Sequence, residues 1–183
     1  MRTIYARQEL PPVDVDGLVP DSIFLVGPTP REIDYVESWR PDALNALELL
    51  GFDGTVFLPE DPEWGLHDVV YGEQTRWEWL ALRASACVAC WMPRDLSLTP
   101  TGEMKMPAFT SNVEFGTMAV LKPERMVVGA PASAKKMAYL RQFCAEFHEV
   151  YFGKKLVIPV FDTLEATMAM AVEIATAGPR KAA

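Results

Sequence analysis

The chain has little with which to hold a metal or a redox coenzyme. It contains two histidines, His67 and His148, and three cysteines, Cys87, Cys90 and Cys144, with neither histidine at a ligand spacing from another donor. Cys87 and Cys90 have the spacing of redox and zinc pairs, but they lie in Ala86-Cys87-Val88-Ala89-Cys90-Trp91, an apolar run that reads as a buried strand. Residues three apart on a strand face opposite ways, so the thiols are expected to be small buried hydrophobes. No metal or redox coenzyme is expected. Long hydrophobic runs are also missing. Nothing approaches the roughly 18 apolar residues of a membrane span, and Met1-Arg2-Thr3-Ile4-Tyr5 lacks the apolar core of a secretory signal. So few cysteines suit a reducing, cytoplasmic compartment. There is no G-x-G-x-x-G and no Gly-rich loop ending in Lys-Ser/Thr, which argues against a dinucleotide coenzyme and against a P-loop NTPase. Positive charge is in short supply: 17 Lys and Arg against 25 Asp and Glu leave a formal net charge of -8. That balance disfavours nucleic acid polymers and anionic membranes, while a small anionic ligand can still be held by local dipoles or one arginine.

What is present is a regular alternation. With 183 residues, half of them hydrophobic, the chain is sized for one domain with a substantial core, expected over 1–183. Apolar runs at Ser22 to Val26, Thr55 to Leu58, Ala86 to Trp91, Arg125 to Val128 and Leu156 to Phe161 read as strands buried on both faces. Helical patterns lie between them: from Pro41 to a stop at Gly51; Glu73 to Ala84 with Trp77, Leu80, Ala81 and Ala84 on one face; Ser111 to Val120; Ser133 to His148; and Leu164 to Ala177, ended by Gly178-Pro179. This predicts an α/β fold, a doubly wound Rossmann-like or flavodoxin-like parallel sheet of five strands in the order 2-1-3-4-5. Pro159 removes a ladder donor, which assigns the last strand to an edge. The first twenty residues read as an arm with at most a short strand, and 179–183 as a frayed tail.

In such sheets the loops beyond the strand C-termini hold the ligand. The first is Gly27-Pro28-Thr29-Pro30-Arg31, where Gly27 would let a ligand approach the backbone, or would simply make a turn. After the third strand come Arg94 and Asp95, and then Thr110-Ser111-Asn112-Val113-Glu114-Phe115-Gly116. Thr110, Ser111 and Asn112 are good N-cap residues, so a helix start aimed at the crevice is expected, with Glu114 in its first turn. Two roles for Glu114 stand side by side. It is either an ionised carboxylate available for chemistry, or one half of a Ser111-x-x-Glu114 capping box. Asn112 could likewise contact a sugar hydroxyl or cap the helix, and Asp95 could assist a leaving group or be merely solvated. Trp64, Trp77, Trp79 and Trp91 are candidate stacking surfaces, and Trp91, at a strand C-terminus, is the one expected to face the crevice.

Ile23-Phe24-Leu25-Val26-Gly27-Pro28, Trp77-Glu78-Trp79 with Ala84-Ser85-Ala86-Cys87-Val88, and Asn112-Val113-Glu114-Phe115-Gly116 follow one another in the order seen in the nucleoside 2-deoxyribosyltransferases. The chain resembles that family from about Ser22 to Ala130, and the Ser-Trp-Arg-Pro and Thr-Ser-Asn-Val-Glu-Phe-Gly elements bring it closest to a divergent branch. The resemblance implies Glu114 as nucleophile, Glu78 as its acidic partner where the family usually has aspartate, and Gly27 beneath the nucleoside, with Asp95 as a further acid. Pro28, Thr29, Trp91, Arg94, Thr110, Ser111 and Asn112 complete the implied binding set. It further implies a nucleoside or nucleotide and a nucleobase as ligands, no cofactor, and a homo-oligomer. The reaction implied is retaining N-glycosyl transfer through a glycosyl-glutamate, with a second base or water as acceptor. The competing readings are a nucleoside-monophosphate N-glycosidase, with Arg94, Thr110 and Ser111 at the phosphate, and a non-catalytic nucleotide-sensing module.

Overall fold

The apolar runs do pair as parallel strands. The computed structural model describes residues 1–30, 36–62 and 71–180. Within them the order is β1 (Arg2–Tyr5), β2 (Val19–Val26), α1 (Arg40–Leu49), β3 (Thr55–Leu58), α2 (Tyr71–Ala84), β4 (Ser85–Trp91), β5 (Asp95–Leu98), β6 (Met104–Met106), α3 (Phe109–Leu121), β7 (Met126–Gly129), α4 (Ala138–Phe152), β8 (Val160–Phe161) and α5 (Leu164–Ala177). The main sheet has six parallel strands in the order β1-β3-β2-β4-β7-β8, while β5 and β6 form a separate antiparallel hairpin.

The five expected strands are neighbours in the expected sense, but the sheet has a sixth, so the five-stranded count and order are corrected. The extra strand comes from the N-terminal arm: Tyr5 aligns with Leu58, the Arg2 N–H donates to Gly54 O at 2.8 Å, and the Ala6 N–H to Glu60 O at 3.1 Å. Ile4 is buried there, and this apolar anchor offsets the poor strand propensity of the Pro- and Asp-rich stretch after it.

Side chains alternate between two layers. Phe24, Val26, Val88, Cys90 and Val128 pack beneath α2, α3 and α4. Ile23, Leu25, Cys87, Ala89, Trp91 and Val127 pack beneath α1 and α5. Cys87 and Cys90 therefore face opposite layers, as strand parity requires. All three cysteines are buried and free, and burial pushes the Cys87 and Cys144 thiols up to about 12. Among the described residues no helix is long and apolar enough to cross a membrane.

Helix boundaries follow local chemistry with a few corrections. Pro41 sits in the first turn of α1, and left-handed Gly51 (φ +72°) follows its end. Helix α5 keeps its expected bounds, and the Thr163 hydroxyl accepts the Ala166 N–H at 3.2 Å. Helix α4 begins at Ala138, five residues after the expected Ser133, because the chain first passes through left-handed Lys136 (φ 57°). On α2, Leu80 is exposed and Leu82 buried. The last strand shrinks to Val160–Phe161: the Ile158 N–H turns to Cys144 O at 3.0 Å, and Pro159 offers only its carbonyl, to the Val128 N–H at 2.9 Å. The strand lies at the sheet edge. The expected fraying of the tail is also corrected at Arg180, whose N–H reaches Glu124 O at 3.0 Å and whose guanidinium reaches Val157 O at 2.8 Å. Residues 181–183 lie outside the described residues.

Candidate active site

The crevice lies where the ends of β2 and β3 meet α2 and the starts of α1 and α3. The start of α3 is not the capped one expected. Its N-cap is Ala108, in the left-handed region (φ 60°), with no side-chain cap. The helix opens at Phe109, Ser111 is already inside it at 2% exposure, and the Asn112 N–H closes the first turn on Ala108 O at 3.1 Å. The capping box is therefore absent, and Glu114 lies beyond the first turn, where the helix dipole has faded. A left-handed alanine costs about 1 kcal/mol, and it turns the Thr110 and Glu114 side of α3 onto the sheet edge.

A cavity of about 310 Å³ opens there. Gly27, Pro28 and Thr29 from β2 and Pro59 after β3 line one side; Gln74, Thr75, Glu78 and Trp79 come from α2; Ala108, Phe109, Thr110, Val113 and Glu114 come from α3. Arg40 also contributes to the wall, although at 0% exposure its side chain is wholly enclosed. Its guanidinium is ion-paired with Glu60 and donates to Gly27 O at 2.9 Å and Thr29 Oγ1 at 3.3 Å. The Ser38 hydroxyl donates to Glu60 at 2.8 Å, and the Trp39 ring lies 4.8 Å from the guanidinium carbon. This network fixes the loop after β2. Gly27 is glycine for packing as well: a Cβ there would run into Trp91 O and the Trp39 indole, so the missing side chain makes room for protein rather than for ligand.

Glu78 and Glu114 face this one cavity from two different helices. Burial and then the neighbouring Glu78 charge raise the Glu114 carboxyl to about 8, against a smaller opposing pull from Arg40. Glu78 is raised too, chiefly by burial, and is held down by a 2.8 Å hydrogen bond from Gln74 Nε2 and by Arg40. Like charges in one desolvated pocket cannot both ionise readily. The expectation that Glu114 stays ionised at the helix start is thus reversed: near neutrality the pair retains a proton.

No family model matches the chain, and no curated protein does either.

Six of the residues expected from sequence line the cavity: Gly27, Pro28, Thr29, Glu78, Thr110 and Glu114. Five do not. Trp91, at 6% exposure, packs in the α1/α5 layer; it has the strand parity of Cys87 and Ala89, which turns it from the crevice. Ser111 is buried within α3. Arg94 donates to Asn112 Oδ1 at 2.5 Å and to Lys136 O at 3.1 Å, so these two expected ligand contacts bond to each other. Asp95 opens the outer hairpin, facing Lys105 at 3.9 Å, and the Ser97 N–H holds its carboxyl below the ordinary range. Of the tryptophans, Trp77 donates to Gln8 O at 2.8 Å beneath the arm and Trp79 lines the cavity; Trp64, His67 and Arg31 lie outside the described residues. Sequence reading missed Arg40, Glu60 and Gln74. The Ser38-Trp39-Arg40-Pro41 element was a signal for Arg40, but nothing local pairs it with Glu60.

Proposed function

We propose that the chain catalyses N-glycosyl transfer on a nucleoside through the Glu78–Glu114 pair. The observation that carries this reading is two electrostatically coupled carboxylates on the wall of one cavity at the C-terminal edge of a parallel sheet. The resemblance to the nucleoside 2-deoxyribosyltransferases supports the same assignment. One proton shared by the pair supplies both roles. With the proton on Glu78, Glu114 is the carboxylate. It attacks the anomeric carbon as the C–N bond breaks, and Glu78 passes its proton to the departing base. Positive charge developing at the sugar favours this distribution of the proton. An incoming base, or water, then takes the sugar from Glu114 while Glu78 recovers a proton from the acceptor. Among the described lining residues the sole cation is Arg40, already paired with Glu60, which suits a neutral nucleoside better than a monophosphate.

Incubating the protein with a deoxynucleoside, with and without a free acceptor base, separates transfer, hydrolysis and binding without turnover. Glu114→Gln is expected to lower turnover by at least about 10³-fold, the scale of losing a covalent nucleophile, and to abolish a glycosyl-enzyme adduct seen by mass spectrometry in the parent. A Glu114→Gln protein that keeps most of its turnover would refute the mechanism. The pH profile should be a bell, falling in acid as both carboxyls protonate and in alkali as the pair loses its shared proton.

A further inference from the structure

Beside the carboxylate cavity, and sharing Trp79, Val113 and Glu114 with it, a second hollow of about 560 Å³ runs between α2 and α3. Leu82, Met118 and Leu121 add to its apolar wall. Trp79 is 66% exposed, and Val113 and Leu121 are also exposed, so apolar side chains lie open within a concave surface of small-molecule size. The far end is different, with Arg83 and Lys122 on the lining. Lys122 Nζ donates only to neutral acceptors, Ser85 O at 2.7 Å, Arg83 O at 3.2 Å and Ser85 Oγ at 3.5 Å. Among the described residues neither Lys122 nor the Arg83 guanidinium has an ion-pair partner. Burial, and then the neighbouring Arg125, lower the Lys122 ammonium to about 8, against a smaller opposing pull that includes Glu124.

We infer that this groove binds a small free aromatic carboxylate, its ring system against Trp79, Val113 and Leu121 and its anion at Arg83 and Lys122. Beyond the Glu114 carboxyl that it shares with the neighbouring cavity, the groove has an apolar wall and a doubly cationic far end, which matches an amphipathic anion. The open indole face favours a flat ring over an alkyl chain. The walls are helices, whose backbone groups are internally bonded, so the groove offers an extended peptide no strand to pair with.

The test is calorimetry and fluorescence on the native chain with 8-anilinonaphthalene-1-sulfonate, using 2-naphthoate as competitor and N-phenyl-1-naphthylamine as the uncharged control. One saturable site per chain is expected, displaced by 2-naphthoate, with the uncharged analogue bound about ten-fold more weakly or worse. Arg83→Glu, on an exposed side chain, should weaken the anionic probe about ten-fold and leave the neutral one alone. Thr117→Trp should fill the groove and remove the site, with circular dichroism confirming the fold. Absence of a saturable site, equal binding of charged and neutral probes, indifference to Arg83→Glu, or loss of the site on dimerisation would each overturn the proposal. Probe binding does not depend on turnover, so this inference and the glycosyl-transfer reading can fail separately.

Discussion

Two pairs of ionisable groups meet at one cavity, one pair wholly enclosed and the other half-buried, and they are built on opposite principles. Arg40 and Glu60 are of opposite sign, wholly enclosed, and further bonded to Ser38, Thr29 and Gly27. Glu78 and Glu114 are of like sign, and one neighbour, Gln74, donates to one of them. The first pair sets the shape of the loop. The second leaves an electrostatic conflict that a ligand or a proton can relieve. A charge enclosed with its counter-charge is structural, whereas two like carboxyls left facing a cavity are available for chemistry.

Breaking the compensated pair should have the largest effect on stability. Arg40→Met leaves Glu60 charged without its partner and is expected to cost about 3–5 kcal/mol in urea unfolding. Replacing both with Arg40→Met and Glu60→Leu should cost less than the single change, because no orphan charge remains. A single variant within about 1 kcal/mol of the parent would show that the enclosed pair is not compensated in this way.

Relieving the conflicted pair should act in the other direction, and only above acid pH. The folded Glu114 carboxyl, at about 8, lies above its ordinary value of 4.5, so between these values the folded state holds a proton that the unfolded chain has released. Stability from this group is full below the lower value and is lost as pH rises to the upper one, with a slope approaching about 1.4 kcal/mol per pH unit. Glu114→Gln should remove that slope, matching the parent near pH 4 and exceeding it at pH 8 in thermal melts. Parallel curves for the two proteins would show that Glu114 carries no such strain.

The smallest effect belongs to Gln74, which lies between the two systems. Gln74→Leu removes the hydrogen bond that holds the Glu78 carboxyl down. The loss should be about 1 kcal/mol, and the Glu78 titration, followed by carbon NMR of its carboxyl, should move upward. A downward movement would mean that Gln74 does not stabilise the charged form.

Much of this arrangement was legible in the sequence. Buried parallel strands announce themselves as unbroken apolar runs, and helix α5 announces its end through Gly178. Glu78 and Glu114 were placed together by a resemblance in residue order, and the structure brings them to one cavity. The start of α3 was not legible, because its capping signal was sound local chemistry overridden by a left-handed Ala108. The Arg40–Glu60 bond spans 20 residues and leaves no local pattern. The arm strand β1 is specified by its distant partner β3 more than by its own propensity. Trp91 is the instructive miss: counting parity along β4 places it with Cys87 and Ala89 in the α1/α5 layer, away from the α2 and α3 side chains that line the cavity.

The two outer strands have a further consequence, for how this chain meets copies of itself. A parallel sheet ends in two rows of backbone groups, each able to template another strand and so begin an aggregate. At one end β8 is only two residues long. At the other, Gln8 folds back on β1, its side chain accepting the Tyr5 N–H at 3.0 Å and its own N–H donating to Tyr5 O at 3.1 Å. Both borders are thereby blunted, one by its shortness and one by a mimic of a neighbouring strand. A second molecule growing the sheet must first dislodge Gln8 or pair with a strand too short to hold it.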